Sequence, residues 1–285
     1  MSGKIYENFP LGKRSWFGTG GHAEKVFIPD TLEDLQNFLK NSPENTLIVG
    51  ALSNTLVRDS GVKETVIRLG GDFRNYSFDK DGVIVGAACL DMTLASAAAA
   101  ENRSGLEFLS GIPGSLGGAI AMNAGASGSE MSHILDWVEV LLPSGKCAIL
   151  YPHEIHLSYR HSELPQGAIV TRMRLHAPQG NHADISEKMK AIKLHRTTAQ
   201  PSKVKTGGST FKNPEGHSAW KLIDESGCRG KRRGDAMISE KHCNFLINLG
   251  EATSKDLEFL GDEVIDLVQK KSGITLQWEI KRIGQ

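Results

Sequence analysis

Gly207-Gly208-Ser209-Thr210-Phe211-Lys212-Asn213-Pro214 holds a small hydroxyl behind two glycines, followed by a cation and an amide. Glycine reaches φ > 0 and lets backbone approach a ligand closely. Ser209 is therefore presented on a bend, with donors at Lys212 and Asn213. The competing reading is a strand-entering turn closed by Asn-Pro, and this stretch by itself favours the turn. Gly111-Ile112-Pro113-Gly114-Ser115-Leu116-Gly117-Gly118 packs four glycines into eight positions. Such a segment can wrap backbone N–H groups around a pyrophosphate with no side chain in the way. A tight loop packing on a helix accounts for the same glycines equally well. Asn123, Ala124 and Gly125 extend this small-residue path. Gly50-Ala51-Leu52-Ser53-Asn54-Thr55 is a second small, hydroxyl-rich loop directly after an expected strand. Two loops of this kind suit an extended dinucleotide.

Ser158-Tyr159-Arg160-His161-Ser162 contributes an arginine, whose fixed fork can bind a carboxylate bidentately. Taken alone it is a solvated surface charge. Glu279, in Trp278-Glu279-Ile280-Lys281, is either a strand-face carboxylate paired to Lys281 or Arg282, or an acid whose pKa partial burial can raise. Arg229, Lys231 and Arg232 can attract a diphosphate or simply form a solvated loop. No GxGxxG follows a first strand, so the usual dinucleotide fold is not signalled. No GxSxG elbow points to a hydrolase serine.

The elements that must hold these residues alternate irregularly, which predicts an α+β fold. Residues 1–15 read as a polar arm. Residues 31–40 read as a helix capped by Thr31 with Asp34 at its third position. A short buried strand at 47–49 leads into the loop at Gly50. Strands are expected at 62–69 and 83–87, then an alanine-rich helix at 92–103 capped by Asp91. Beyond the glycine-rich segment come strands at 137–142, 147–151 and 168–175 and a helix at 185–197. Residues 199–208 read as a linker. The last part holds a helix at 218–225, a strand at 243–248, a helix at 254–271 ended by Gly273, and a strand at 274–283. In the long helix Leu257, Leu260, Val264, Leu267 and Val268 face inward. The domains expected are 1–72, 73–198 and 199–285.

With 285 residues, 33 basic and 33 acidic, the chain carries no basic field that would suit nucleic acid. The four cysteines form no CxxC pair and the histidines no HExxH, so no metal is expected, and reduced thiols are the default. There is no apolar leader and no run of about 18 apolar residues. The expectation is a cytoplasmic protein without membrane insertion.

In their order, SWFGTGGHA, IVGALSNTLVRDSG, LSGIPGSLGGAIAMNAGA, SYRHS, GGSTFKNP, GDAMISEKHCNFLINLG and WEIKRIG resemble the UDP-N-acetylenolpyruvoylglucosamine reductase family from about Trp16 to Gly284. The resemblance implies a vanillyl-alcohol-oxidase-like FAD-binding fold in two subdomains, followed by a C-terminal α+β substrate domain whose last strand returns to the active site. It implies a bacterial, monomeric enzyme of peptidoglycan precursor synthesis. FAD would be held noncovalently by Gly50, Ala51, Leu52, Ser53, Asn54, Thr55, Gly111, Ile112, Pro113, Gly114, Ser115, Gly117, Gly118, Asn123 and Gly125. NADPH would reduce the FAD. UDP-N-acetylenolpyruvoylglucosamine would then take a hydride from flavin N5 at C3 and a proton from Ser209 at C2, giving UDP-N-acetylmuramate. Arg160 and Glu279 would polarise the carboxylate or enol, with Tyr159, Asn213 and Arg229 contacting substrate. The short segment from Arg160 to Ala168 is similar to a subclass lacking a tyrosine-bearing insertion. Where the family usually has glycines this chain has Ala51 and Leu52, so a loop needing φ > 0 would strain Leu52. Two rival readings remain at this point: a related flavin oxidase or dehydrogenase, and a sugar-nucleotide binding protein without flavin.

Overall fold

The computed structural model describes residues 3–41 and 45–285. In chain order the elements are β1 (Lys4–Phe9), α1 (Leu11–Arg14), β2 (Ala23–Ile28), α2 (Leu32–Asn41), β3 (Thr46–Ile48), β4 (Thr55–Val57), β5 (Val62–Ile67), β6 (Tyr76–Phe78), β7 (Gly82–Gly86) and α3 (Asp91–Ala100). There follow α4 (Leu116–Ala121), β8 (Gly125–Ala126), β9 (Ser129–Glu130), β10 (Leu135–Leu141), β11 (Cys147–Leu150), β12 (Ile169–His176) and α5 (His182–Ala199). The remainder is α6 (Ala219–Glu225), β13 (Arg232–Arg233), β14 (Ala236–Ile238), β15 (Leu246–Asn248), α7 (Ser254–Ser272) and β16 (Lys281–Ile283). One sheet runs β1-β2-β5-β3.

Two compact units emerge. The first comprises the chain up to Tyr6, Val26–Ala51 and Val66–Arg196; the second comprises Glu7–Lys25, Leu52–Thr65 and the chain from Thr197 onward. The expected boundary after residue 198 lies close to the break after Arg196, whereas residue 72 lies inside the first unit.

In the first unit an antiparallel sheet of order β11-β10-β12-β7-β6 carries the core. Val83, Val85, Val138, Val140, Met173 and Leu175 bury one face of it with Leu94, Leu116 and Ile120. The alternation of apolar and polar residues along these strands is what a half-covered sheet requires. A smaller cluster joins Phe27, Leu35, Phe38 and Phe73, with the Phe27 and Phe38 rings stacked at 4.0 Å. Thr31 caps α2 as expected, its hydroxyl accepting the Asp34 N–H at 3.1 Å.

In the second unit α7 buries Leu257, Leu260, Val264 and Val268 against Phe211, Ile223, Leu246 and Ile280. Thr253 and Asp256 close a capping box at its start, and Gly273, at φ +75, ends it in the left-handed conformation that glycine adopts freely. The sheet β13-β14-β15 and the parallel pair β4 and β16 complete this unit.

Several expectations are corrected. The residues read as an N-terminal arm form β1 and α1, because short strands need only alternate partners, not apolar composition; residues 1 and 2 of that stretch lie outside the described residues. The strand before Gly50 is mostly exposed rather than buried. Asp91 does not cap α3: it is the first residue of the helix, Leu90 takes the cap position, and no side chain bonds there. The glycine-rich segment is not loop throughout, since Leu116, Ala119 and Ile120 bury one side of α4. The final strand contracts to β16, because residues 274–280 are held by bonds outside any regular ladder. Among the described residues no helix is long and apolar enough to cross a membrane, and no group of three or more His, Cys, Asp or Glu could hold a metal ion. All four cysteines are free thiols.

Candidate functional site

Ser209 and Glu279 lie in the second unit, and backbone bonds bring them together. Gly207 has no room for a side chain: a Cβ there would stand 2.5 Å from the Phe17 ring. Gly208 is at φ +82 with open space around it, so here glycine serves conformation instead. The bend delivers half-buried Ser209 into an isolated bridge with Phe245. Thr210 is fully buried; its N–H donates to Asn244 O at 2.8 Å and its hydroxyl accepts the Leu246 N–H at 3.0 Å. Its carbonyl accepts the Glu279 N–H at 2.8 Å, which sets Glu279 one residue across from Ser209. Lys212 N–H donates to Gln277 O at 2.9 Å, and Phe211 bridges Trp278.

Glu279 is held from two further sides. The Asn54 side-chain amide donates to its carbonyl at 3.1 Å. The preceding Trp278 lies on Gly261 of α7, where a Cβ would come within 2.2 Å of the indole, and its Nε1 donates to Asp262 at 3.1 Å. The short strand pair of β4 and β16, with Lys281 opposite Thr55, begins two residues after Glu279.

Arg160 belongs to the first unit. Ser158 and His161 exchange both backbone bonds, at 3.1 and 3.0 Å, so Tyr159 and Arg160 form the two central residues of a tight turn. Arg160 occupies φ +55, where glycine or asparagine is usual. Its guanidinium donates to Gly125 O at 3.3 Å and lies 5.3 Å from the centroid of the exposed Tyr159 ring. Asn123 anchors this turn from below: fully buried, its amide donates to Ser158 O at 3.1 Å and to Glu130 at 2.9 Å, and it accepts from Ser132 N–H. Hydrogen bonds from the Ser132 hydroxyl and Asn123, reinforced by charge from His133 and Arg160, hold the Glu130 carboxyl below its ordinary pKa.

Within the first unit, a cavity of about 400 Å³ is lined by Gly50, Ala51, Ser115, Gly117 and Gly118 of the expected loops. A Cβ on Gly50 would stand 2.5 Å from the Ser115 hydroxyl, so the two loops touch only because residue 50 lacks a side chain. Gly117 N–H donates to Ala87 O at 2.8 Å and Leu116 N–H to Cys89 O at 3.0 Å, fastening the start of α4 to the segment before α3. Gly118 is exposed, with only the Ser115 hydroxyl, at 3.8 Å, near a would-be Cβ. The other glycines do different work. Gly111 packs on α5, where a Cβ would meet Ile192 at 2.9 Å, and Gly125 abuts Glu130 and Ser129 at 2.8 Å. Ile112 packs against the core; Pro113 and Gly114 do not line the cavity. Leu52, Ser53, Asn54 and Thr55 belong to the second unit. Leu52 is buried at φ +56, so the strained alternative for this departure is the one realised.

Of the residues expected on substrate, Asn213 turns its side-chain oxygen to the Ala219 N–H at 2.9 Å, at the start of α6. Arg229 grips Asp224 with two nitrogens, at 2.8 and 2.6 Å, and donates with the third to Glu240 O. That pairing raises the Arg229 pKa and lowers that of Asp224. Each nitrogen of the Arg229 fork thus has one partner within the protein. Reading by motif missed Asn244, which is buried and mimics a strand edge by accepting from Phe211 N–H at 2.9 Å and donating to Phe211 O at 2.8 Å. Its signal was an amide inside the otherwise apolar run from Cys243 to Ile247. Arg68 and Arg74 were missed as well, and both line the cavity.

A model of the C-terminal domain of UDP-N-acetylenolpyruvoylglucosamine reductase matches residues 200–283, and a model of an FAD binding domain matches residues 23–150. UDP-N-acetylenolpyruvoylglucosamine reductase of Gluconobacter oxydans is 48% identical over 287 residues, covering 100% of this chain and 94% of the relative. The protein of the same name from Acidiphilium cryptum is 51% identical over 286 residues, covering 100% and 93%. A crystal structure of UDP-N-acetylenolpyruvylglucosamine reductase from Thermus caldophilus superimposes with a TM-score of 0.87 at 39% identity, covering 100% of both chains. The chain accordingly belongs to the UDP-N-acetylenolpyruvoylglucosamine reductase family and is an FAD-dependent oxidoreductase.

Proposed function

We propose that this chain reduces UDP-N-acetylenolpyruvoylglucosamine to UDP-N-acetylmuramate, with NADPH as reductant and Ser209, Arg160 and Glu279 as its catalytic residues. The observation that carries this reading is the bond between Thr210 O and Glu279 N–H, which brings the backbone that bears Ser209 alongside the backbone that bears Glu279. The first-unit cavity suits FAD: it is mainly apolar with two arginines and no carboxylate among its lining residues, and Gly50 and Gly118 keep side chains out of it. Gly50, Ser115, Gly117 and Gly118 would hold the cofactor, noncovalently. FAD, when bound, would supply the hydride chemistry that links NADPH to C3 of the enolpyruvyl group.

The chain's own work concerns the charge that this leaves on C2 and the carboxylate. The Arg160 fork is permanently cationic and bidentate, so it suits that carboxylate. Glu279 polarises the enol; the residue is half-buried and its backbone is fixed by Thr210 and Asn54. Ser209 donates the proton to C2. A serine hydroxyl is a very weak acid, and it serves here because an enolate carbon is strongly basic. No histidine behind it is required, in contrast to a hydrolase triad.

The decisive experiment separates the two half-reactions. Ser209→Ala should bind FAD and be reduced by NADPH at the parental rate, yet reoxidise with the enolpyruvyl substrate roughly 10²- to 10⁴-fold more slowly. Ser209→Cys should recover part of that rate. An alanine variant that reoxidises normally in rapid-mixing absorbance removes Ser209 from the chemistry.

A further inference from the structure

The flavin cavity has a charged wall that the glycine loops do not supply. Arg68 and Arg74 line it, and no aspartate or glutamate does among the described residues. Both arginines sit on backbone that is held in place. Arg68 follows β5 directly, and its N–H donates to Phe27 O at 3.0 Å. Arg74 ends the single helical turn Gly71–Arg74. That turn exists because Gly71, at φ +45, lets the chain pass Asp30, whose carbonyl would lie 2.3 Å from a Cβ at residue 71. On either side of Arg74 the chain is fastened to the cavity wall: Phe73 O accepts the Ala88 N–H at 2.8 Å, and Asn75 O accepts the Gly86 N–H at 2.9 Å. Gly86 permits this, since a Cβ there would stand 2.2 Å from Phe73 O. Among the described residues no carboxylate forms an ion pair with Arg74. A cation carried on backbone held this firmly, with no protein carboxylate paired to it among the described residues, on a cavity that takes a dinucleotide has one chemical complement on that ligand: its phosphates.

We infer that Arg74, together with Arg68, binds the diphosphate of the dinucleotide and so selects for it over an uncharged flavin. This rests on the reading of the cavity as the flavin site. The glycine loops then provide close approach, and the arginines provide the charge.

The test uses the full chain stripped of flavin and titrated with FAD by fluorescence quenching, at low and at high salt. Arg74→Gln should weaken FAD binding about tenfold or more at low salt. It should also flatten the salt dependence, because screening acts on the lost charge. Arg74→Lys should recover part of the affinity, and Arg68→Gln should add to the loss. The thermal midpoint of the flavin-free protein should stay at the parental value in each variant. An Arg74→Gln affinity within twofold of the parent overturns the assignment, as does a loss equal at both salt concentrations. Parental protein that takes up no FAD overturns the reading of the cavity itself, and the arginine assignment falls with it.

Discussion

Arg160 holds φ +55 and Leu52 φ +56, conformations that cost a residue with a Cβ roughly 1–2 kcal/mol each. For Leu52 the return is packing, since its side chain is buried. Arg160 is only half-buried, so packing offers less return for its strained backbone. Two substitutions separate the contributions. Arg160→Gly is suited to the turn and should leave the thermal midpoint within a few degrees of the parent while turnover with the enolpyruvyl substrate collapses. Arg160→Lys keeps the charge but loses the fork, and it should also lower turnover while FAD reduction by NADPH stays near normal. Equal losses in both half-reactions would assign Arg160 to the fold. At this scale the sequence made Ser209, Arg160 and Glu279 legible as candidates through their neighbours. It could not show that Asn213 and Arg229 turn their polar atoms to α6 and to Asp224, because those partners follow from side-chain direction in the folded chain.

At the scale of elements, Glu279 depends on how Trp278 rests on α7. The indole lies over Gly261, ring to ring with Phe211 at 5.1 Å, and is pinned by Asp262. Gly261→Ala places a methyl where ring carbons are, so either Trp278 or the helix must shift. The expected result is a loss of about 1–3 kcal/mol in stability, typical of overpacking. Substrate-driven reoxidation should fall and FAD affinity should hold, because the lining of the cavity belongs to the first unit. Unchanged reoxidation at wild-type stability would mean that α7 does not position Glu279. Periodicity located α7 well, since its apolar residues repeat on one face. It failed for residues 274–283, where the bonds to Thr210 and Lys212 are single contacts rather than a ladder.

For the whole molecule, the buried Asp91 carboxyl couples stability to pH. Both its oxygens lack a hydrogen-bond partner, and burial pushes its pKa up to about 8. In the unfolded chain it would ionise near the usual carboxylate value. Between the two values the folded state holds one proton more, so stability falls as pH rises, by up to about 1.4 kcal/mol per pH unit. The contribution is complete below the unfolded pKa and gone once pH passes the folded one. Asp91→Asn mimics the neutral acid without titrating. Its thermal midpoint relative to the parent should therefore climb steadily from pH 5 to pH 8, measured on flavin-free protein. A difference that is flat across that range would show that Asp91 is not buried as a neutral acid.

The sequence by itself determined the local features: the cap at Thr31, the helix from Ser254 with its stop at Gly273, the bend before Ser209, and the absence of a GxGxxG phosphate loop. Each depends on residues a few positions apart, whose backbone preferences and spacing act without the rest of the chain. Only the tertiary structure decided which glycines serve the cavity and which serve packing. Gly118 faces open space, Gly50 makes way for Ser115, Gly111 makes way for Ile192, and a glycine has no side chain to announce the difference. It also decided that Asn54 supports Glu279, 225 positions away, and that Arg68 and Arg74 border the same cavity as Ser115. Those relations arise from strands and turns distant in sequence, held by backbone bonds that any residue type can make.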